Sequence, residues 1–253
     1  MKKIKQAVLL CGGLGTRLRP YTYKMSKQMI PILGNPLTEW NIVQFKKHGV
    51  TEFLINLYTK PEVMRGYLGD GAKWGVKIAY NLEQDPPGTA GSIKLFERHI
   101  DEEFFVIYGD TLSLLDYTAV EKLWREKPAE AIGMQWVQPG DKPSSDIAEM
   151  DNEGRLVAIH PKPRAKSFPN AYRMRGAMIM RRGVLPYIPS GRYYEIGRDL
   201  VPDLLSHGEL FYGFESSDYS KGIDTVEAWR EVEEYLKANH IRPEGLLNGR
   251  FEI

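Results

Sequence analysis

Short apolar runs alternate with amphipathic segments over the first half of this chain, and that alternation constrains its fold more than any other feature. Residues 4–10 read as a strand, 37–48 as a helix with Gly49 closing its C-terminus, and 52–57 as a second strand. Residues 61–68 read as a short helix with proline in its first turn. Strands at 76–80, 104–108 and 131–137 are interleaved with helices at 89–99 and 117–127. Strands separated by helices form parallel βαβ units with right-handed crossovers. The second half is more β-rich at first, with a hairpin of 147–150 and 155–159 around Asp151-Asn152-Glu153-Gly154. A strand at 174–180, a helix at 195–206, a strand at 210–214 and a helix at 225–238 follow. The expectation is an α/β fold: a mixed, mainly parallel sheet with helices on both faces and a small β-rich subregion. No linker, repeat or low-complexity tract interrupts residues 1–253, which read as one domain.

Composition narrows the function classes. A formal net charge of +1 provides no global field to recruit nucleic acid or an anionic membrane, so any anion site must be local. Cys11 is the one cysteine, which excludes a disulfide framework within the chain. No stretch approaches the ~20 apolar residues that span a bilayer, and the apolar run after Met1–Lys5 is too short for a secretory signal. The cytoplasm is the expected location. His48, His99, His160, His207 and His240 show no metal-ligand spacing and read as surface or loop residues.

Ligands of open parallel sheets bind at the carboxyl ends of strands. That rule selects the loop after residues 4–10, the loop at 80–91, and Gly109-Asp110. The first loop reads Cys11-Gly12-Gly13-Leu14-Gly15-Thr16-Arg17-Leu18-Arg19-Pro20, with Lys27 ten residues after Arg17. Its glycines let backbone N–H groups approach phosphate oxygens, and Arg17 and Arg19 add cationic forks. A dinucleotide fingerprint begins at Gly13-x-Gly15, but Leu18 occupies the third glycine position. The second strand ends in Asn56 and Tyr58 with no acid for a ribose, which disfavours a nicotinamide-dependent oxidoreductase. No Gly-Lys-Ser/Thr of a P-loop occurs.

The longer pattern, from Gly12 through Thr22 and Lys27 to Pro31, resembles the signature of the sugar-1-phosphate nucleotidyltransferases. It comes closest to the mannose- and heptose-phosphate guanylyltransferase-like members. Residues 34–58, the segment 66–93 with its Gly88-Thr89-Ala90-Gly91, and Phe104 to Leu112 with its strand-ending Gly-Asp extend the likeness. It is close to about residue 116 and looser to the end. The resemblance implies a Rossmann-like fold of the nucleotide-diphospho-sugar transferase type, with a nucleotide-binding half at about 1–116 and an acceptor-binding half at about 117–240. It implies condensation of an NTP (GTP, CTP or UTP) with a sugar 1-phosphate to an NDP-sugar and pyrophosphate, for polysaccharide or glycoconjugate synthesis.

The resemblance also implies roles for residues. Arg17 would contact the triphosphate and leaving pyrophosphate, and Lys27 would stabilise the α-phosphate. Leu10, Gly12, Gly13, Gly15 and Thr16 would cradle the nucleotide, with Glu83 and Gly88 on its base side. Asp110 and Asp224 would hold Mg²⁺, although Asp224 would also serve as an N-cap. Lys162, Arg175 and Gly176 would bind the acceptor. Cys11 stands where the family usually has alanine and reads as a small buried residue.

The likeness weakens on the acceptor side. Pro161 replaces the glutamate of a Glu-Lys-Pro motif, Ser144-Ser145-Asp146 replaces an aromatic-glycine pair, and Arg175 precedes Gly176 where Asn-Ala is usual. Arg164, Arg173 and Arg175 add positive charge there, which suggests an acceptor more anionic than, or otherwise unlike, glucose 1-phosphate. The alternatives are a related transferase, such as a cytidylyltransferase, with an unusual non-hexose phosphate acceptor, and a nucleotide-binding protein without turnover. No nucleic-acid or membrane partner is expected, and a homo-oligomer stays open.

Overall fold

The computed structural model describes residues 3–143, 145–168, 170–242 and 244–246. The chain forms two compact units. The first takes residues up to Pro86, Ile107–Leu115 and the described residues from Tyr219 onward; the second takes Pro87–Val106 and Asp116–Asp218.

In the first unit the strand Gln6–Leu10 pairs in parallel with Glu52–Leu57, which pairs in parallel with Lys77–Leu82. Gln6, Glu52 and Lys77 share one level of this sheet. Every residue of Gln6–Leu10 is buried, as a central parallel strand covered on both faces requires, and this is why its sequence is a continuous apolar run. On its other side Gly109 donates its N–H to the Leu10 carbonyl at 3.0 Å. The helix Leu37–Lys47 buries Trp40, Ile42 and Phe45, and the Trp40 indole donates to Ile32 O at 2.9 Å. Gly49, at φ +100°, closes this helix with an N–H bond to Lys46 O, as its glycine signal predicts. The helix Pro61–Leu68 starts at its proline.

One two-stranded ribbon has no counterpart in the sequence reading. Thr111–Ser113 pairs antiparallel with Ser220–Gly222, in the register Gly222↔Thr111. Three-residue strands with no apolar alternation leave no periodic signal. Their pairing is set by what lies beside them, since Ile223 N–H donates to Asp110 O at 2.8 Å.

In the second unit Ala131–Pro139 pairs antiparallel with Tyr172–Arg181 and parallel with Leu210–Glu215. The hairpin is Ile147–Met150 with Leu156–His160, and its loop is closed by Asp151 Oδ1, which accepts from the N–H groups of Glu153 and Arg155. His160 is not a loop residue: it ends this hairpin, its Nε2 lies 2.6 Å from Glu149, and its ring stacks on Phe168. The helix expected at 89–99 is Gly88–Lys94 and then breaks into turns. The Arg182 guanidinium donates to the carbonyls of Glu97 and Ile100 in and just after these turns. The helix expected at 195–206 divides into a π turn, Ile196–Leu200, and an α-helix, Val201–Ser206. Pro202 supplies no N–H at the junction, so the wider turn forms instead. The helix Tyr117–Arg125 is capped by Asp116, which accepts from Thr118 N and Ala119 N.

Among the described residues no helix is long and apolar enough to cross a membrane.

The buried carboxylate of Glu39 shows how the first unit fixes its helix. It accepts from Asn35 Nδ2 at 3.0 Å, Tyr67 OH at 2.6 Å and Trp74 Nε1 at 3.3 Å. Glu39→Ala removes that shared acceptor and lowers unfolding stability by about 3 kcal/mol. Urea denaturation measures it, and a loss below about 1 kcal/mol would show that the cluster does not hold the helix.

Candidate active site

The glycine loop leaves the carboxyl end of Gln6–Leu10 and passes over the stem of Lys27. A Cβ on Gly15, which sits at φ +62°, would meet Lys27 Cβ at 2.9 Å, and one on Gly13 would lie 3.7 Å from Lys27 Nζ. Thr16–Leu18 forms a single 3₁₀ turn, and Thr22 Oγ1 donates to Gly15 O at 2.9 Å, holding the loop closed. Lys27 is therefore roofed by backbone that carries almost no side-chain bulk.

The Lys27 ammonium lies between two carboxylates, 2.5 Å from Asp110 Oδ2 and 2.9 Å from Asp224 Oδ1. Arg17 reaches the same Asp224 oxygen at 3.2 Å. Exposure grades outward: the Lys27 side chain is 9% exposed, Asp110 29%, Asp224 41% and Arg17 67%. Burial works against the charge on Lys27, but Asp110 and then Asp224 outweigh it and hold the ammonium above its usual range. The ribbon of Thr111–Ser113 with Ser220–Gly222 brings the two carboxylates together from positions far apart in sequence. Asp224 does not cap the following helix. Thr225 is the N-cap, accepting from Ala228 N, which leaves Asp224 turned to the cationic pair. Among the described residues no group of three His, Cys, Asp or Glu gathers as a metal site. A cation at Asp110 and Asp224 would take its other oxygen ligands from a bound phosphate.

A second, deeper network lies under the loop. Cys11 N–H donates to Asn56 Oδ1 at 2.6 Å, and Asn56 Nδ2 donates to Glu83 Oε1 at 2.8 Å. Asn56 and Glu83 are both buried. A Cβ on Gly12 would stand 2.7 Å from Glu83 Oε2 and 2.9 Å from Asn56 Nδ2, so only glycine lets the loop lie this close to the pair. The sequence reading saw Asn56 only as a missing ribose acid. The signal it offered was a polar residue ending an apolar strand. Cys11 itself is buried, and burial, with Asp110 and Glu83 acting in the same direction, pushes its thiol far up. It is an inert packing residue.

Four of the expected site residues lie in the second unit. Gly88, at φ +81°, approaches the Tyr194 backbone so closely that a Cβ would meet its carbonyl oxygen at 2.5 Å. Arg175 and Gly176 occupy an irregular stretch of Tyr172–Arg181, where the ladder with Ala131–Pro139 slips between Met174 and Met178. Gln135 Nε2 donates to the Arg175 and Ala177 carbonyls there. Burial, and then Arg173, pull the Arg175 guanidinium below its usual range. Lys162 is exposed and donates its backbone N–H to Asp146 Oδ1 at 2.8 Å. Arg164 does not add free charge beside them: it pairs with Asp141 and donates to the carbonyls of Ser145 and Lys142, clamping that loop. Ser144 lies outside the described residues.

The network under the loop makes a definite demand. Asn56→Ala leaves the Cys11 N–H and the Glu83 carboxylate without this partner, and the expected loss of stability is about 2–3 kcal/mol. Chemical denaturation with unchanged stability would show that the loop does not depend on Asn56.

The sequence model of the family described as nucleotidyl transferase matches residues 6–240. Similar proteins include a UTP–glucose-1-phosphate uridylyltransferase of Synechocystis, 34% identical over 90% of this chain and 63% of its own length. Another is a mannose-1-phosphate guanylyltransferase of Mycobacterium tuberculosis, 30% identical over 87% of this chain and 61% of its own. The chain thus spans somewhat less than two thirds of these curated relatives. The fold is shared with a UDP-glucose pyrophosphorylase solved with UDP-glucose, at a TM-score of 0.76, 16% identity, and coverage of 94% of this chain and 100% of the other. With a glycine loop roofing a lysine set between two aspartates, and a family match over nearly its whole length, the chain belongs to the nucleotidyl transferase family.

Proposed function

We propose that this chain condenses a nucleoside triphosphate with a sugar 1-phosphate, giving an NDP-sugar and pyrophosphate. The observation that carries this reading is the Lys27 ammonium held between Asp110 and Asp224 beneath the glycine loop. A phosphate oxygen of the acceptor attacks the α-phosphorus. The bond from that phosphorus to the α–β bridging oxygen breaks, and pyrophosphate departs with its electron pair. Both reactants are anions, so the site must neutralise charge and align them.

Lys27 is poised for this because its charge is secured by two carboxylates and its stem is packed against the loop. It stabilises the α-phosphate as negative charge grows there. Arg17, the most exposed of the four groups, meets the triphosphate tail and the leaving pyrophosphate. Leu10, Gly12, Gly13, Gly15 and Thr16 hold the nucleotide by backbone. Asp110 and Asp224 offer the hard oxygen donors that suit Mg²⁺, and their partial exposure fits a cation sharing its ligands with phosphate. When bound, the ion screens the charge of the transferring phosphate. Glu83 and Gly88 are assigned to the base side, Glu83 acting from its buried position beside Gly12.

Lys162, Arg175 and Gly176 are assigned to the acceptor. Arg173 beside the half-buried Arg175 supports an acceptor with more negative charge than glucose 1-phosphate, because two neighbouring like charges favour an anion between them. GTP, UTP and CTP are the candidate nucleotides, with the names of the relatives pointing to the first two.

Release of pyrophosphate, assayed with each of four NTPs against a panel of sugar phosphates, tests the reading directly. Turnover is expected with at least one pair; none with any pair would favour a binding protein. Lys27→Ala should lower kcat at least about 100-fold with a smaller change in KM for the nucleotide, since its interaction strengthens in the transition state. Wild-type turnover in that variant would remove Lys27 from the chemistry. Arg175→Ala should reduce kcat/KM for a doubly anionic acceptor about tenfold more than for glucose 1-phosphate, and equal effects on both would exclude that acceptor class.

A further inference from the structure

A cavity of about 690 Å³ opens in the first unit, away from the residues assigned to catalysis. Val43, Lys46, Lys47, Lys73, Trp74, Arg242, Glu244 and Gly245 line it. Its place follows from the sheet register. Lys46 and Lys47 end the helix that leads into Glu52–Leu57, and Lys73 and Trp74 precede Lys77–Leu82, so they lie toward the amino ends of these parallel strands. The glycine loop lies at the carboxyl ends. Five to six residues of strand, roughly 15–20 Å, separate the two levels.

The charge in the cavity is one-sided. Four cations face one carboxylate, in a chain whose formal net charge is only +1. No ion pair joins any of the four to an acid among the described residues. Lys46 and Lys47 in the last turn of a helix would be accounted for by the helix dipole alone. Lys73 and Arg242 would not. The Lys73 ammonium sits over the rings of Tyr67 and Trp74, at 4.2 and 4.5 Å, and donates to Tyr67 O. Burial pulls it below its usual range, with Glu39 acting in the opposite direction. Arg242 is anchored to Leu33 O and to Asn35 Oδ1 at 3.0 Å, which fixes its fork at the wall. The two elements that supply Lys73 and Arg242 are unrelated in sequence, yet both line one cavity together with the apolar Val43 and Trp74.

We infer that this cavity is a second anion site, taking a polyphosphate-bearing small molecule of nucleotide size. Its volume lies within the ~300–1,000 Å³ of small-molecule sites. Four lysine and arginine residues around one cavity match the charge of a di- or triphosphate rather than of a single phosphate. The site is separate from the transferase reading, and stands or falls independently of it.

Titration calorimetry with inorganic tripolyphosphate, and separately with each NTP, tests this on the full chain. Wild-type protein should bind a second equivalent beyond the catalytic one. Lys46→Ala/Lys47→Ala, which changes two exposed side chains, should weaken that second equivalent at least tenfold while leaving turnover at low NTP unchanged. Lys27→Ala should leave it intact. Equal binding of tripolyphosphate and NTP would mean that phosphates alone are recognised, and tighter NTP binding would add contacts to the nucleoside. A single equivalent in wild type, or a second one indifferent to the lysine substitutions, would overturn the inference. Absence of turnover with every acceptor, alongside a second equivalent lost only in the lysine variant, would sink the transferase reading and leave this one standing.

Discussion

A lysine ammonium that is nine-tenths buried cannot stand alone. Taking such a charge out of water costs several kcal/mol unless opposite charges accompany it. In this protein Asp110 and Asp224 accompany Lys27, and much of the first unit can be understood as the means of bringing the three together. Asp110 arrives at the end of a buried strand. Asp224 arrives from the far end of the chain, two residues after a three-residue strand paired with Thr111–Ser113. The glycine loop closes over the lysine stem. Removing one partner would leave the others uncompensated, so the same ion cluster that is proposed to carry the chemistry also constrains the fold.

The loop itself is positioned from below. Asn56 takes the Cys11 N–H and gives its own to Glu83, so the place where backbone would meet phosphate is tied to two neighbouring strands. Gly12 is glycine because Glu83 and Asn56 occupy the room of a side chain. A phosphate-binding loop needs its N–H groups in one arrangement before the ligand arrives, and a buried network supplies that order without a side chain in the way.

Much of this was legible in the sequence where local physics decides. The apolar run ending in glycines, the proline start of Pro61–Leu68 and Gly49 after its helix each carry a local cause, and each lies where that cause predicts. The loop's lysine and arginine were legible as a candidate anion site through the longer pattern from Gly12 to Pro31, since glycines and arginine alone read equally well as an exposed turn. What was not legible depends on distant partners. The ribbon that delivers Asp224 is too short to leave a period, and a helix cap was the competing reading of Asp224 until Thr225 was seen to fill that place. Arg164 looked like free charge, and it is committed to Asp141. The split of the 195–206 helix into π and α turns follows from Pro202, which was visible, but its consequence there depends on packing.

The central claim is that Lys27 and Asp110 act as one charged unit. A double-mutant cycle on kcat for pyrophosphate release, using Lys27→Met, Asp110→Asn and the pair, measures this coupling directly. The account predicts that the double variant is clearly less slow than the product of the two single effects, because part of each loss is the partner already removed, while Asp110 keeps its own share as a Mg²⁺ donor. Effects that multiply, each variant slowing the enzyme by its own full factor regardless of the other, would contradict it.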